Sequence, residues 1–458
     1  MKKSILTYPL STTQKLSLSF IALIFIGSLL LASPLMHYPN APETSYLDHL
    51  FTAVSMVCVT GLSVFPVSEV YNGLGQVTAM ALMQIGGLGL VSLVAFSQYS
   101  LKKRLSLRDQ TLLQSAMSQS THHHLKEYLF FAYRLTFGIE LICAILLAFD
   151  FIPRFGWGNG IFNSLFLAVS AFCNAGFDNI GQNSLQLFAL NPLINLVLAF
   201  LIFSGGLGFN VWHDLYNSYL NSRQQPRFWA NFWKHLSIHS RLILNSTAII
   251  LLLGTGLSFL LEYNNSETLK YLTFPEQILV SFFQSVTMRT AGFSTLSYLD
   301  TGHATNFLYI LQMLIGGGPG GTAGGIKVSV AAILFLLFRA ELAGQSQVTF
   351  QNRTIPQRLL RQTLTVLLFF FGILIIGYLL LLENEPHLDP FALFFEASSA
   401  IATVGVSMEL TSQLSTIGRC IIMALMFIGR VGPITVLLSI LQKKEKDIHY
   451  AECDIIIG

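Results

Sequence analysis

A glycine-rich interruption inside a long apolar stretch most restricts how this 458-residue chain can fold. Residues 315–327 read Ile-Gly-Gly-Gly-Pro-Gly-Gly-Thr-Ala-Gly-Gly-Ile-Lys, and both flanks are strongly apolar. Seven glycines and a proline would break an ordinary membrane-spanning helix. Irregular backbone at membrane depth is tolerated only where protein buries it or where it lines a water-filled cavity. The stretch therefore predicts a pore or a transport site.

The composition agrees with a chain that lies mostly in a membrane. Hydrophobic residues make up 53% of the sequence and charged residues only 11%, whereas soluble domains carry about 25% charged residues. The net charge of +3 is too small to indicate a nucleic-acid partner. The five cysteines show no CxxC or metal-ligand spacing, so we expect small buried apolar side chains and no disulfide framework.

Long and short apolar segments alternate along the chain. The long ones can each span a bilayer, which takes about 20 residues, and lie near 16–36, 74–99, 128–151, 190–212, 241–262, 304–338, 359–382 and 416–441. The first resembles a signal peptide, but its length predicts a retained helix. The short ones, about 20 Å of helix each, lie at 46–58, 161–173, 275–288 and 390–402. We expect these to enter the membrane and turn back.

Two glycine markers repeat four times in the same order. The short segments end in Val59-Thr60-Gly61, Asn174-Ala175-Gly176, Thr290-Ala291-Gly292 and Thr403-Val404-Gly405, with the glycines 115, 116 and 113 residues apart. A second marker follows 24 to 29 residues later, at Gly86, Gly205, Gly316 and Gly429. The sequence therefore predicts an all-α polytopic membrane protein made of four pseudo-symmetric helix–re-entrant loop–helix repeats around one central pore.

These repeats set the expected domain boundaries. We predict repeat 1 at 1–100, a cytoplasmic loop with repeat 2 at 101–222, a further loop with repeat 3 at 223–345, repeat 4 at 346–442, and a C-terminal tail at 443–458. Most basic residues fall in the segments that join the repeats and at both termini. By the positive-inside rule, both termini are cytoplasmic and the short helices enter from outside.

The loops after the short helices have the chemistry of a cation site. Each places the partially negative C-terminal end of a helix and a row of carbonyls near one axis. Four such loops predict carbonyl rings that replace the hydration shell of a cation. Glycine permits the backbone angles that turn those carbonyls inward.

At these loops the sequence resembles the Trk/Ktr/HKT superfamily of cation transporters, whose filter loops are degenerate copies of TVGYG. The most specific matches are Cys58–Leu62, Arg289–Phe293, the glycine-rich interruption and Gly429–Pro433, and the resemblance covers essentially the whole chain. It implies a bacterial plasma-membrane protein that takes up potassium bound at filter carbonyls, with no cofactor in this chain. It also implies a homodimer and a cytosolic ring of nucleotide-binding RCK subunits.

The resemblance also bears on ion choice. A serine at the first filter glycine accompanies sodium permeation in the family, and this chain has Gly61 there. The second glycine of TVGYG is replaced by Ser63, Asp178, Ser294 and Ser407, which predicts fewer carbonyl sites and weaker selectivity. The resemblance also implies that sodium is a coupling or activating ion. The residues leave open whether conduction is channel-like or sodium-coupled.

The resemblance implies that the glycine-rich interruption is an intramembrane gating loop below the filter. Its residues are Gly316, Gly317, Gly318, Pro319, Gly320, Gly321, Thr322, Ala323, Gly324 and Gly325. The alternative is a glycine face for helix packing. That interpretation suits Gly86–Gly89 and Gly205–Gly208, where we expect the helix to continue.

Three basic side chains accompany the predicted gate and filter. Arg430 stands where the other repeats have Gly87, Gly206 and Gly317, and about 14 residues into its segment we expect it to lie far from either helix end. A guanidinium at that depth usually marks function; the alternative is a snorkelling side chain. Lys327 either holds the cytoplasmic end of the loop or lies free in the vestibule. Arg289 is expected to brace the third filter loop.

Other functions find less support in the sequence. No HExxH, no GxSxG and no pair of intramembrane aspartates is present, so we do not expect an enzyme. A secondary transporter of another small cation or solute also uses discontinuous helices, but it normally repeats twofold. A membrane scaffold would not need four glycine-centred loops. The run His122-His123-His124 more closely resembles a surface or partner contact than a metal site.

Overall fold

The computed structural model describes residues 12–100, 125–181 and 184–432. His122–His124 and the tail at 443–458 lie outside the described residues. Within the described residues, four helices are long and apolar enough to cross a membrane by length and composition, and two bent helix pairs bring the number to as many as six. The chain is therefore a multi-pass helical membrane protein.

The first repeat shows the unit that recurs. The outer helix α1 (Thr12–Leu31) leads through a 3-10 turn (Pro34–Met36) to the short helix α2 (Tyr46–Val57). A helical turn, α3 (Val67–Val70), follows, and α4 (Gly73–Leu88) and α5 (Leu90–Ser100) complete the repeat. Helices α2 and α4 pack on α1.

In the second repeat the outer and short helices form one helical run that reverses direction. Helix α6 (Leu125–Cys173) is interrupted at Gly156, where φ is +79°. The chain folds back there so closely that a Cβ at Gly160 would lie 2.7 Å from Ile152 Cα. A 3-10 turn (Gln186–Phe188), α7 (Pro192–Gly206), α8 (Phe209–Ser222) and α9 (Phe228–His235) follow.

The third and fourth repeats follow the same order. The third contains α10 (Ile238–Glu262), α11 (Phe274–Thr287), α12 (His303–Leu314) and α13 (Val328–Leu342). Strands β1 (Thr349–Phe350) and β2 (Arg353–Thr354) form a small antiparallel hairpin in which Thr349 pairs with Thr354. The fourth contains α14 (Gln357–Asn384), α15 (Pro390–Ala402), a 3-10 turn (Thr411–Gln413) and α16 (Thr416–Val431).

The short helices α2, α11 and α15 begin at strong sequence signals. Ser45 with Asp48 and Thr273 with Glu276 form capping boxes at the starts of α2 and α11. Asp389 accepts from the Ala392 N–H at the start of α15, and a proline follows it at the first helical position. Because these residues satisfy free N–H groups of the first turn, each helix start is fixed locally.

Burial distinguishes the short helices from the outer ones. From Phe395 to Ala402, every residue of α15 is buried. The outer helix α14 instead exposes large apolar side chains along its length, such as Leu368, Ile376 and Leu379. The short helices therefore line the centre of the bundle, and the outer helices present the apolar surface that a lipid bilayer covers.

The prediction that the inner helices of repeats 1 and 2 continue through their second glycine marker is wrong. The chain bends by 95° between α4 and the later part of α5, and by 97° between α7 and α8. The bends fall at Gly89 and Gly208, whose φ angles of +84° and +96° are costly for residues with a Cβ. Polar groups replace the lost helical bonds: the Ser92 hydroxyl donates to the Gly89 carbonyl, and the Trp212 ring N–H to that of Ser204.

The fourth inner helix differs from its prediction in the same way. Helix α16 ends at Val431, one residue after Arg430, and Gly432 follows with φ +91°; the rest of the predicted segment, 433–441, lies outside the described residues. Breaks at the second marker thus occur in all four repeats. The expected domain boundaries and the orientation of the termini stay predictions.

The first glycine of the second marker packs as a helix-contact residue in three repeats. A Cβ at Gly86 would clash with the carbonyl of Val57, one at Gly205 with that of Phe172, and one at Gly429 with that of Ile401. These carbonyls lie four residues before each filter glycine. The packing interpretation is therefore correct for Gly86 and Gly205, although in all three repeats the helix ends within two residues, before a glycine with positive φ.

We predict that Gly86→Ala destabilises the protein, because the new methyl group overlaps backbone of α2 and overpacking costs about 1–3 kcal/mol. Gly138→Ala is the matched control: it lies in α6 with no atom within 4 Å of its Cβ position, so alanine is neutral or stabilising by about 0.5–1 kcal/mol. The measurement is the thermal midpoint of both variants in detergent. Equal midpoints for the two would contradict the packing described here.

Candidate functional site

Four loops with the same backbone geometry follow the short helices. The residue two positions before each glycine adopts a left-handed conformation, with φ +56° at Val59, +57° at Asn174, +67° at Thr290 and +52° at Thr403. The glycines that follow have φ angles of +104°, +71°, +84° and +96° at Gly61, Gly176, Gly292 and Gly405. A β-branched residue such as Val59 rarely takes this conformation. Its repetition indicates a local geometry that the site requires.

The four glycines meet at one point. A Cβ at Gly61 would lie 2.9 Å from Ala175 O, and one at Gly176 would lie 2.8 Å from Ala291 O. Similarly, a Cβ at Gly292 would lie 2.5 Å from Val404 O, and one at Gly405 would clash with Thr60 O. Repeats 1, 2, 3 and 4 thus close into a ring in that order. Any side chain at these positions would enter the ring, so glycine is needed for space as well as for φ.

Three serines of the short helices hold the loops, and sequence reasoning missed them. The Gly61 N–H donates to Ser55 Oγ (3.1 Å), the Phe177 N–H to Ser170 Oγ (3.0 Å) and the Gly405 N–H to Ser399 Oγ (3.0 Å). In the third repeat, Thr287 Oγ1 instead donates to Phe293 O (2.7 Å). A serine six residues before three of the four glycines was the available signal.

Several filter hydroxyls have no protein partner. The Oγ1 atoms of Thr60, Thr290 and Thr403 are buried and form no hydrogen bond within the described residues. A buried hydroxyl without a partner costs free energy. These oxygens, beside the converging loop carbonyls, form an oxygen-rich set of the kind that binds hard cations.

An open cavity of about 520 Å³ lies on the side of the ring where the residues that follow the filter glycines are found. It reaches all four filter glycines, and Glu69, Asp178 and Glu409 are among its lining residues, whereas no lysine or arginine of the described residues lines it. Three acids without a neighbouring base favour cations at the entrance.

The glycine-rich loop closes the other side of the ring and is bonded to the bend in repeat 2. The Gly318 N–H donates to Gly206 O (2.7 Å), and the Thr322 N–H to Gly205 O (3.0 Å). In return, the Phe209 N–H donates to Gly320 O (3.2 Å). The ends of the loop meet where Ile315 bridges Ile326 and the Gly316 N–H donates to Ile326 O (2.8 Å).

The loop lies directly against two filter loops. A Cβ at Gly316 would lie 3.4 Å from the Thr290 methyl group, and one at Gly324 would clash with the Thr403 hydroxyl. Gly206, to which the loop is bonded, lies against Asn174 in the same way. Thr322 and Ala323 are buried at the centre of the loop. The structure thus brings the predicted gate segment next to the predicted filter.

Arg430 bridges three repeats at this level. Its guanidinium donates to Thr322 O in the loop, to Gly86 O and, at 2.9 Å, to Gly87 O. The expectation that Arg430 lies far from a helix end is wrong, because α16 ends one residue later. It does not snorkel to a surface either, since carbonyls of the central helix breaks bind it.

The other two basic side chains predicted near the gate, Lys327 and Arg289, also contact the loop. Lys327 Nζ donates to Ala323 O at 2.5 Å, so Lys327 closes the loop on itself and is not free. Arg289 is buried, and its Nη2 lies 3.4 Å from both Gly316 O and Thr247 Oγ1. Arg289 therefore contacts the start of the glycine-rich loop, directly below its own filter loop.

Fold and site together define a multi-pass membrane protein with four pore loops around one axis that backbone carbonyls and threonine hydroxyls line. A family profile described as "TrkH: Cation transport protein" matches residues 7–450. The chain belongs to this family.

Named relatives and a solved structure agree with the family. The chain is 34% identical to Ktr system potassium uptake protein B of Bacillus subtilis, covering 97% of this chain and 96% of that protein. It is 36% identical to the potassium/sodium uptake protein NtpJ of Enterococcus hirae, over 98% of each. The crystal structure of the potassium transporter TrkH from Vibrio parahaemolyticus has the same fold, with a TM-score of 0.75 at 17% identity, covering 96% of this chain and 86% of that one.

We predict that Ser399→Ala loosens the fourth filter loop, because it leaves the Gly405 N–H buried without an acceptor at a cost of about 1–3 kcal/mol. Ser398→Ala is the matched control, since the Ser398 hydroxyl forms no hydrogen bond with any residue that the structure describes. The measurement is the ratio of potassium to sodium flux in vesicles. We expect the ratio to fall for Ser399→Ala only; an equal effect of the two changes would refute the role of Ser399.

Proposed function

We propose that this protein is the ion-translocating subunit of a potassium-uptake system. The observation that carries the proposal is the ring in which Gly61, Gly176, Gly292 and Gly405 converge beside the carbonyls of the neighbouring repeats. The relatives named for potassium uptake, at 34–36% identity over nearly the whole chain, support the choice of ion.

The geometry suggests how the ring acts on a cation. Acids at the outer cavity concentrate cations at the entrance. The ion then loses water as the loop carbonyls and the hydroxyls of Thr60, Thr290 and Thr403 replace its hydration shell. The C-terminal ends of the four short helices point toward the same place, and their dipoles favour a positive charge there.

The filter offers fewer carbonyl sites than four complete TVGYG loops would. At the positions of the missing second glycine, the Ser63 hydroxyl donates to Phe65 O and the Ser294 hydroxyl to Leu296 O. These local turns replace the extended backbone that a complete filter loop would have at those positions. We infer that discrimination between potassium and sodium rests on the first glycines and is weaker than in a potassium channel.

The glycine-rich loop acts as the gate in this proposal. It fills the space beneath the ring, and its hydrogen bonds join backbone groups of repeats 2 and 3, which can exchange with water when the loop moves. Arg430 holds the loop to the first repeat and keeps a positive charge below the filter. Opening then requires that the guanidinium release the Thr322 carbonyl.

The proposal extends to the setting of the protein. The chain lies in a bacterial plasma membrane with both termini in the cytoplasm, functions as a homodimer, and is regulated by a ring of cytosolic nucleotide-binding RCK subunits. Sodium acts as a coupling or activating ion. The one match of the sequence to the nucleotide-binding pattern G-x-G-x-x-G, Gly316–Gly321, lies in the glycine-rich loop and follows helix α12, where a nucleotide-binding unit would have a strand. Three of the relatives are named as components of a Ktr system.

We predict that Gly405→Ala lowers potassium uptake by roughly 100-fold, corresponding to about 2.7 kcal/mol, because the new methyl group enters the ring against Thr60 O. Gly372→Ala in α14, with no atom within 4 Å of its Cβ position, is the control and retains uptake. The measurement is uptake in potassium-deficient cells, with equal expression verified. Normal uptake by Gly405→Ala would refute the pore assignment.

We predict that Arg430→Ala raises cation flux roughly tenfold, equal to about 1.4 kcal/mol of barrier, because it removes both the bridge to the gating loop and the fixed charge. The control is Arg419→Ala, which breaks the 2.5 Å ion pair with Asp48 between repeats 1 and 4. Flux is measured in reconstituted vesicles without the partner subunit. If Arg430→Ala has unchanged flux and unchanged ion preference, the gating role is wrong.

A further inference from the structure

Helices α8 and α9 form a hairpin whose outer surface is aromatic and basic. Tyr216 and Tyr219 of α8 are exposed, as are Trp229 and Trp233 of α9, with Trp229 at 72% exposure. The exposed bases Arg223, Arg227 and Lys234 flank these rings. No aspartate or glutamate occurs between residues 215 and 261. We call this surface, made of those seven residues, the aromatic–basic ledge.

The ledge lies at one end of the membrane-spanning bundle. Helix α9 comes directly before α10, one of the four long apolar helices. Val211 of α8 packs in one cluster with Ile243, in the second turn of α10. Because the chain bends by 97° between α7 and α8, α8 runs across the bundle and does not continue along it. The hairpin therefore lies at the level where α10 enters the apolar layer.

Hydrogen bonds and ring contacts fix the hairpin in this position. The Ser237 N–H donates to Asp214 Oδ2 (2.8 Å). Asp214, the acid nearest to the ledge in sequence, is therefore already hydrogen-bonded. Arg241 Nη2 donates to Lys234 O (2.9 Å) and so holds the end of α9. The inner rings of α9, Phe228 and Phe232, stack at 5.9 Å, and Phe228 contacts Tyr219. The tryptophans are left on the outer side.

We propose that the aromatic–basic ledge binds anionic phospholipid at the membrane surface. Tyrosine and tryptophan favour the headgroup region, where one end of the ring is apolar and the other wet. Basic residues beside them attract anionic headgroups within a Debye length. A surface with three bases and no acid fits the lipid phosphate, and its two exposed tryptophans would be costly to leave in water.

Brominated lipids test the proposal in the intact protein. The chain has four tryptophans, so W157F/W212F/W233F leaves Trp229 as the single reporter. The protein is placed in phosphatidylcholine vesicles that contain equal fractions of either brominated phosphatidylglycerol or brominated phosphatidylcholine. We expect the phosphatidylglycerol probe to quench Trp229 at least twofold more strongly. We also expect iodide added to the water to quench it weakly.

Two controls separate lipid binding from general proximity to the bilayer. In W212F/W229F/W233F the reporter is Trp157, which is 75% exposed next to the reversal of α6; it should show no preference between the two probes. In the Trp229 reporter, R223Q/R227Q/K234Q should remove the preference, and R223K/R227K should keep it. Equal quenching by both probes at Trp229 would overturn the proposal. Strong iodide quenching without lipid quenching would also overturn it and would assign the ledge to a protein partner.

Discussion

The structure depends on satisfying non-helical backbone inside a membrane. A break in a spanning helix leaves N–H and C=O groups without partners, and the hydrocarbon layer holds no water that could form hydrogen bonds with them. Here the inner helices break at Gly89, Gly208 and Gly432 and across the glycine-rich loop. The free groups of the breaks in repeats 2 and 3 bond to one another, as where the Gly318 N–H donates to Gly206 O. The breaks must therefore lie together at the centre of the bundle, and the four repeats assemble around them.

Arg430 completes this arrangement with charge. Its guanidinium donates to the Thr322 carbonyl of repeat 3 and to the Gly87 carbonyl of repeat 1. Charge-assisted hydrogen bonds of this kind are stronger than neutral ones, but a guanidinium under a cation pathway also opposes the ion. In the mechanism that we propose, the same side chain stabilises the closed loop and raises the barrier to conduction, so that stability and gating are coupled at one residue.

The sequence predicts much of this fold because its signals are local. The short helices at 46–58 and 390–402 appear within one or two residues of their predicted bounds, since capping residues such as Ser45 and Asp389 define their starts. The bends at Gly89 and Gly208 were missed because three glycines in an apolar run suit helix packing as well as a break. At Gly208, the choice between helix packing and a break depends on the glycine-rich loop of another repeat, because its Gly320 carbonyl accepts from the Phe209 N–H. The serines at 55, 170 and 399 were missed for a similar reason, because their hydrogen bonds depend on the left-handed turn that follows them.

The central claim is that cations pass through the ring formed by the four first filter glycines. The most direct measurement is anomalous diffraction from crystals of the protein soaked in rubidium, which substitutes for potassium. We expect an anomalous peak on the axis between the carbonyls of Thr60, Ala175, Ala291 and Val404. Rubidium bound elsewhere, with no peak inside the ring at saturating concentration, would contradict it.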